Sequence, residues 1–255
     1  MELFKNRVRQ GYSRYWVVKK YTVIGLWPSE EMLCDAYWDL GDRILDVGSG
    51  AGRTTIPLAE KGFSVTGLDF SFPMVFQGGL QSRRLGADAT WVVADATDLP
   101  FSDDSYTGVL FSYNGIELIP GKEGKRQMLR EAWRILRPGG HLIFTTHSLE
   151  ALNRFLPFRI RQLVRYLFYK LTRHPIAEME IGEVVYDPTQ NLEVYYLQVI
   201  SPRSIRKILS DVGFELVYYN SRERIKRCAP PAWYVDFDPD FKFYVARKPD
   251  LMSGH

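Results

Sequence analysis

The segment Asp46-Val-Gly48-Ser49-Gly50-Ala-Gly52 gathers the residue types that let a backbone bind a polar ligand. Its glycines permit a tight turn and a close approach of ligand to main chain, and a helix starting there offers unpaired N–H donors. Acids recur at two later breaks, Asp69 after Ser64-Val-Thr-Gly-Leu68 and Asp95 after Thr90-Trp-Val-Val-Ala94. An ionised carboxylate can accept from two donors at once, so each is a candidate ligand-binding group. An Asp in such a place also serves simply as a helix cap. Acids at successive strand ends beside a glycine loop favour one shared site over independent caps. His147 closes the apolar run Leu142 to Thr146 and is the candidate general base, since imidazole titrates near neutrality. Its other role would be to end a strand or cap the next helix.

A glycine-rich loop alone leaves the ligand open. Dinucleotide-binding loops run G-x-G-x-x-G, with an acid about 20 residues further on. Here the spacing is G-x-G-x-G, Asp46 stands two residues before the first glycine, and Arg53 falls where the third glycine of that pattern would be. No Gly-Lys-Ser/Thr follows, which excludes a phosphate-binding P-loop. A nicotinamide-dependent oxidoreductase is the competing reading, disfavoured by the spacing.

The elements that must position these groups alternate. Arg43–Val47, Ser64–Leu68, Thr90–Ala94, Tyr106–Ser112 and His141–Thr146 read as short apolar strands, separated by helical patterns at Arg53–Lys61, Phe72–Leu85 and Lys122–Leu136. Such alternation predicts βαβ units and a parallel sheet, with the polar breaks at the carboxyl ends where open α/β sheets bind ligands. Arg137-Pro-Gly-Gly140 reads as a helix stop and turn. Ser201-Pro202 opens another helix, Val212-Gly213-Phe214 ends it, and strands follow at Glu215–Tyr219 and Phe241–Ala246. Residues 148–200 are too long for a plain connection and read as an insertion with its own helix.

At 255 residues, 45% hydrophobic and 25% charged, the chain has enough apolar mass for a full core and is not a disordered segment. Cys34 and Cys228 lie far apart and match no metal-ligand spacing, so neither a disulfide framework nor a metal site is expected. No apolar run approaches the ~20 residues of a membrane span, and the opening MELFKNRVRQ lacks a secretory apolar region. The expectation is a cytoplasmic protein, with contact to a membrane surface left open.

Several motifs in order resemble those of the class I S-adenosylmethionine-dependent methyltransferases. Ile44-Leu-Asp46-Val-Gly48-Ser-Gly50-Ala-Gly52 is similar to that family's first motif, Gly67-Leu-Asp69-Phe-Ser71 to its second-strand acid, and Ala94-Asp95-Ala96 to its third. Tyr106 to Asn114 resembles the fourth strand, Leu129 to Leu142 the helix and turn into the fifth, and Ile205 to Phe214 the step before the sixth. The resemblance spans about residues 40–148 and 201–247. It implies a Rossmann-like, doubly wound sheet of seven strands, mostly parallel with an antiparallel last strand. The domain would run over 41–255, with residues 1–40 as a basic and aromatic cover. The cofactor implied is S-adenosylmethionine, leaving S-adenosylhomocysteine as product.

On that resemblance, Asp69 would accept from the ribose hydroxyls beside Phe70, and Asp95 from the adenine amino group beside Ala96. Gly48, Ser49, Gly50, Gly52 and Tyr113 would surround the methionine end, with Asp46 orienting the loop. Methyl transfer is an in-line displacement at a sulfonium carbon, so alignment and a dry site matter most. An oxygen or nitrogen of a small or lipid-like molecule is the expected acceptor. Asn114, Glu117, Tyr12 and Tyr21 are the acceptor-side candidates.

Two basic, aromatic-rich segments bear on the acceptor. Residues 1–27 hold Lys5, Arg7, Arg9, Arg14, Lys19 and Lys20 against Glu2; residues 150–175 hold Arg154, Arg159, Arg161, Arg165, Lys170 and Arg173 against Glu150. Within 154–173, Ile160, Leu163, Val164, Leu167, Phe168 and Leu171 follow helical spacing. This stripe suits a lid packed on the domain, peripheral contact with an anionic membrane or an isoprenoid-like acceptor, or recognition of a phosphorylated, nucleotide-linked or RNA acceptor. Nucleic acid is the weakest of these, because the rest of the chain is acidic. A regulatory protein that binds the cofactor without turnover is the alternative outside enzymes. Oligomeric state is not written in these residues.

Overall fold

The computed structural model describes residues 2–187, 192 and 194–250. Helices α1 (Glu2–Tyr12), α2 (Tyr15–Lys20) and α3 (Pro28–Tyr37) come first. The alternating part follows: β1 (Arg43–Val47), α4 (Thr55–Glu60), β2 (Ser64–Asp69), α5 (Phe72–Leu85), β3 (Ala89–Val93), β4 (Tyr106–Phe111), α6 (Gly121–Ile135) and β5 (Leu136–Thr146). A short 3-10 helix, Gly115–Leu118, links β4 to α6. The insertion carries α7 (Leu156–Thr172), β6 (Glu183–Val185) and β7 (Tyr196–Gln198); α8 (Pro202–Val212), β8 (Glu215–Ser221), α9 (Arg222–Lys226) and β9 (Lys242–Arg247) close the chain.

Local chemistry sets several of these boundaries. Pro73 and Pro202 sit in the first turns of α5 and α8, where their missing N–H is no loss. The Ser201 hydroxyl accepts from the Arg203 N–H, and Gly86 and Gly213 take left-handed conformations past the last turns. One expectation is corrected. The Arg137-Pro-Gly-Gly140 segment is strand rather than turn: β5 already pairs with β4 at Tyr106 and Leu136, and a register shift lets the chain pass without leaving the sheet.

Seven strands form one sheet in the order β3-β2-β1-β4-β5-β9-β8, parallel except that β9 runs antiparallel to both neighbours. This is the expected doubly wound architecture. Neighbouring residues on a strand point to opposite faces, and the core divides accordingly. Leu45, Val109, Phe144 and Tyr244 face α6 and α8, while Ile44, Leu110, Ile143 and Val245 face α3, α4 and α9. Strand order reverses between β1 and β4, so the crevice beyond their carboxyl ends is where such a sheet receives a ligand.

Candidate functional site: a cofactor cleft beside an apolar cavity

A cleft of about 1110 Å³, mouth included, lies at those carboxyl ends. It brings together Gly48, Ser49 and Gly50 after β1, Asp69 and Phe70 after β2, Asp95 and Ala96 after β3, and Tyr113 after β4. Tyr12 and Tyr21 cover it from the N-terminal segment. Their rings lie 5.7 Å apart, and Tyr21 meets Tyr113 edge-on at 6.3 Å. These two tyrosines were expected on the acceptor side and instead line the cleft.

The loop is held in a left-handed conformation that favours glycine. Gly48 has φ +69°, and a Cβ there would stand 2.9 Å from the Phe111 ring. Gly50 has φ +55° with open space around it, and its N–H donates to Asp69 Oδ2 at 3.0 Å. Asp69 Oδ1 accepts from the Ser71 N–H at 2.8 Å. Burial pushes the Asp69 carboxyl up to about 6, against these backbone donors, which lower it. Asp95 is the reverse case. Burial opposes its ionisation, but Lys5 Nζ at 2.5 Å and the Thr97 donors hold its carboxyl below the usual range.

Asp46 does not line the cleft. It is buried beneath the loop, where its Oδ2 accepts from the Thr54 and Thr55 hydroxyls at 2.5 and 2.6 Å and pins the start of α4. Burial pushes its carboxyl up to about 6 despite those two bonds. Gly52 packs on Ile56 and Trp91 rather than on the cleft. Asn114 lies buried between the loops, and its N–H donates to Thr145 Oγ1 at 2.8 Å.

Lys5 and Arg53 are among the lining residues that were not anticipated. Lys5 reaches the cleft from α1. Arg53 lies beside the Trp27 and Tyr113 rings, 5.2 and 5.3 Å from their centres, forms two bonds with the fully buried Glu30, and donates to Ser112 Oγ. Arg53 was visible in the sequence only as a departure from the dinucleotide pattern; its partner on α3 carried no signal.

The cleft fits S-adenosylmethionine. Asp69 and Asp95 keep accepting capacity toward hydroxyl and amino donors, because each carboxylate oxygen has two lone pairs. Ser49 Oγ lines the cleft, is buried, and has no hydrogen-bond partner, which leaves a polar group to be satisfied by a ligand. Leu68, Met74, Phe111 and Ile119 supply apolar walls for a flat adenosyl group.

His147 and Glu117 line a second cavity, of about 1310 Å³ with its mouth included, not the first. The His147 Nδ1 lies 2.9 Å from Glu117 Oε2, and the His147 backbone N–H donates to Glu117 Oε1. Burial works against charge on the imidazole, but the Glu117 hydrogen bond and charge outweigh it and raise the His147 pKa. The ring also packs on Phe241 at 4.7 Å. Beyond this dyad the cavity is walled by Phe155, Leu156, Phe158, Ile160, Leu163, Val184, Leu197 and Val199. The acids Glu178, Glu180 and Glu183 also reach it, and each accepts from a neighbour. The 3-10 helix belongs to both cavities: Gly115 and Leu118 face the first, Glu117 the second.

Comparison with known proteins agrees with this geometry. A family model described as a methyltransferase domain matches residues 44–140. The demethylmenaquinone methyltransferase of Tropheryma whipplei is 31% identical over 203 residues, covering 75% of each chain. The chain belongs to the class I S-adenosylmethionine-dependent methyltransferases. A protein of the same name from Beutenbergia cavernae is 31% identical over 157 residues, 60% of this chain and 62% of that one. Across three relatives so named, the chain spans 62%, 42% and 50% of their length. A solved S-adenosylmethionine-dependent methyltransferase from Methanosarcina mazei has the same fold, with a TM-score of 0.67, 22% identity, and coverage of 89% of this chain and 100% of that one. In a chain of this family, the first cavity is the candidate cofactor cleft.

Proposed function

We propose that this methyltransferase acts on a small, lipid-like acceptor seated in the second cavity, with His147 as the general base. The Glu117–His147 dyad in the wall of a largely apolar cavity, across one short helix from the cofactor cleft, carries this reading. S-adenosylmethionine supplies an electrophilic methyl carbon whose leaving group is a neutral thioether. With the cofactor bound, Asp69 would accept from the ribose hydroxyls, Asp95 and the Ala96 backbone would hold the adenine, and Ser49 and Gly50 would face the methionine end. Asp46 acts through Thr54 and Thr55 as a positioning residue. Residues 1–40 serve as the cover over this cleft.

With Nδ1–H donating to Glu117, Nε2 of His147 keeps its lone pair and takes the acceptor's proton. A positioned base of this kind contributes roughly 10²–10⁴-fold. The apolar walls exclude water from the acceptor and align it toward the cleft. The relatives' names support the acceptor class, since demethylmenaquinone is a lipid-like quinone. Helix α7 supports peripheral contact with an anionic membrane through residues 154–173. Among the described residues, no helix is long and apolar enough to cross a membrane.

Calorimetric titration with S-adenosylmethionine, S-adenosylhomocysteine and NAD, followed by turnover with short-chain naphthoquinols, tests the proposal. Saturable binding of the first two and a methylated product are expected. Binding without product from any quinol or phenol would overturn the acceptor assignment in favour of a regulatory role.

A further inference from the structure

The stripe on α7 does not pack as a lid. None of the helix's residues is buried, and Val164, Leu167, Phe168 and Leu171 are 60%, 52%, 58% and 85% exposed. A soluble helix normally buries such a stripe, so this face is built to meet an apolar phase. Its basic groups sort by side. Arg165 is pulled inward onto Glu178, while Arg161 and Lys170 stay on the helix surface against Phe158 and Tyr166.

A second element, the Trp233–Phe237 loop before β9, continues this surface. Trp233, Tyr234 and Phe237 are exposed, Trp233 at 87%. The loop is tied to the approach of α7, since the Leu152 N–H donates to the Phe237 carbonyl at 2.9 Å and Asn153 Nδ2 to the Pro239 carbonyl. Leu152 and Phe155, beside these bonds, are exposed as well. Arg154 stacks over Phe155 and Arg224 over Tyr234, so cations ring the apolar side chains. Aromatic residues with a polar edge, apolar side chains and surrounding Lys and Arg are what the boundary of an anionic bilayer accommodates.

The same helix walls the second cavity. Phe155, Ile160 and Leu163 line it and are also exposed, so the cavity meets the surface along α7. We infer that α7 and the Trp233–Phe237 loop form one docking face for an anionic lipid bilayer, and that the acceptor passes from the bilayer past α7 to His147. This rests on the lipid-like acceptor proposed above. The occupant of the face is set by two features: the ring of cations, and the continuity of the apolar surface with a cavity suited to a lipid-like molecule.

The test uses the full chain with vesicles of 70:30 phosphatidylcholine and phosphatidylglycerol, and with phosphatidylcholine alone. Two variants remove side chains that line neither cavity: Trp233→Ser with Tyr234→Ser, and Leu167→Ser with Phe168→Ser and Leu171→Ser. Wild type should float with the anionic vesicles, and each variant should lose roughly tenfold or more of that binding. Both should keep cofactor affinity and turnover of a short-chain soluble naphthoquinol, while losing turnover of a long-chain acceptor embedded in vesicles. Flotation unchanged in the Trp233/Tyr234 variant, or equal on both vesicle types, would overturn the docking face. So would stable capture of a purified protein partner on this face with no vesicle binding. If no quinol is methylated, the acceptor reading falls, while flotation still decides the docking face.

Discussion

Glu117 holds His147 twice, accepting from its backbone N–H and from its ring Nδ1 at 2.9 Å. The two residues are 30 apart in the chain and meet because the 3-10 helix after β4 lies beside the carboxyl end of β5. One carboxylate thereby fixes both the position of the imidazole and its tautomer.

This pairing sets the expected pH dependence. As the proposed base, His147 would act only when neutral, and Glu117 raises its pKa, so kcat should climb with pH through an inflection above the ordinary histidine value near 6.5. Glu117→Gln removes the charge that favours imidazolium and should move the inflection down. His147→Ala should cost roughly 10²–10⁴-fold in kcat with cofactor affinity unchanged. A pH–rate profile of the three proteins checks this, and an inflection unmoved in Glu117→Gln would remove Glu117 as the positioning group.

Asp69 gives the cofactor cleft its own pH dependence. Its carboxyl is raised to about 6, so it is ionised above that pH and protonated below. Protonation halves its accepting role toward a diol, so affinity for S-adenosylmethionine should weaken roughly tenfold as pH falls from 7.5 to 5. Asp69→Asn should bind weakly, by ~1–3 kcal/mol, and lose most of that slope. Calorimetry across the range decides it; an equal slope in both proteins would dismiss the ribose assignment.

Glu30 and Arg53 join α3 to the end of the glycine loop. The Glu30 side chain is fully buried, and both its oxygens accept from Arg53 at 2.7 and 2.9 Å. Glu30→Ala would leave the guanidinium without its counter-ion and should cost ~3–5 kcal/mol of stability. Replacing both, Glu30→Leu with Arg53→Met, should recover much of that loss. Denaturant melts of the single and double variants measure it, and a single variant within 1 kcal/mol of wild type would show that the pair is not a structural tie.

Much of the candidate cleft was legible because its signals are local. The glycine loop, Asp69 and Asp95 each stand at the end of their own strand, and a parallel sheet aligns strand ends on one edge whatever the remaining packing does. The helix ends Phe72–Leu85 and Pro202–Val212 follow in the same way from proline and glycine at fixed positions. The strand from Leu136 was missed because the Pro-Gly-Gly run reads locally as a turn, whereas pairing with Tyr106 holds it in the sheet.

The sequence by itself determined the alternation of elements, the loop chemistry and the acids, since these depend on residues a few positions apart. Only the tertiary structure decided which distant groups meet: Lys5 with Asp95, Glu30 with Arg53, and Glu117 with His147. It also moved His147 into a cavity of its own and left the α7 stripe exposed. An amphipathic period states that a face is apolar but not what covers it, because burial depends on surfaces brought from elsewhere in the chain.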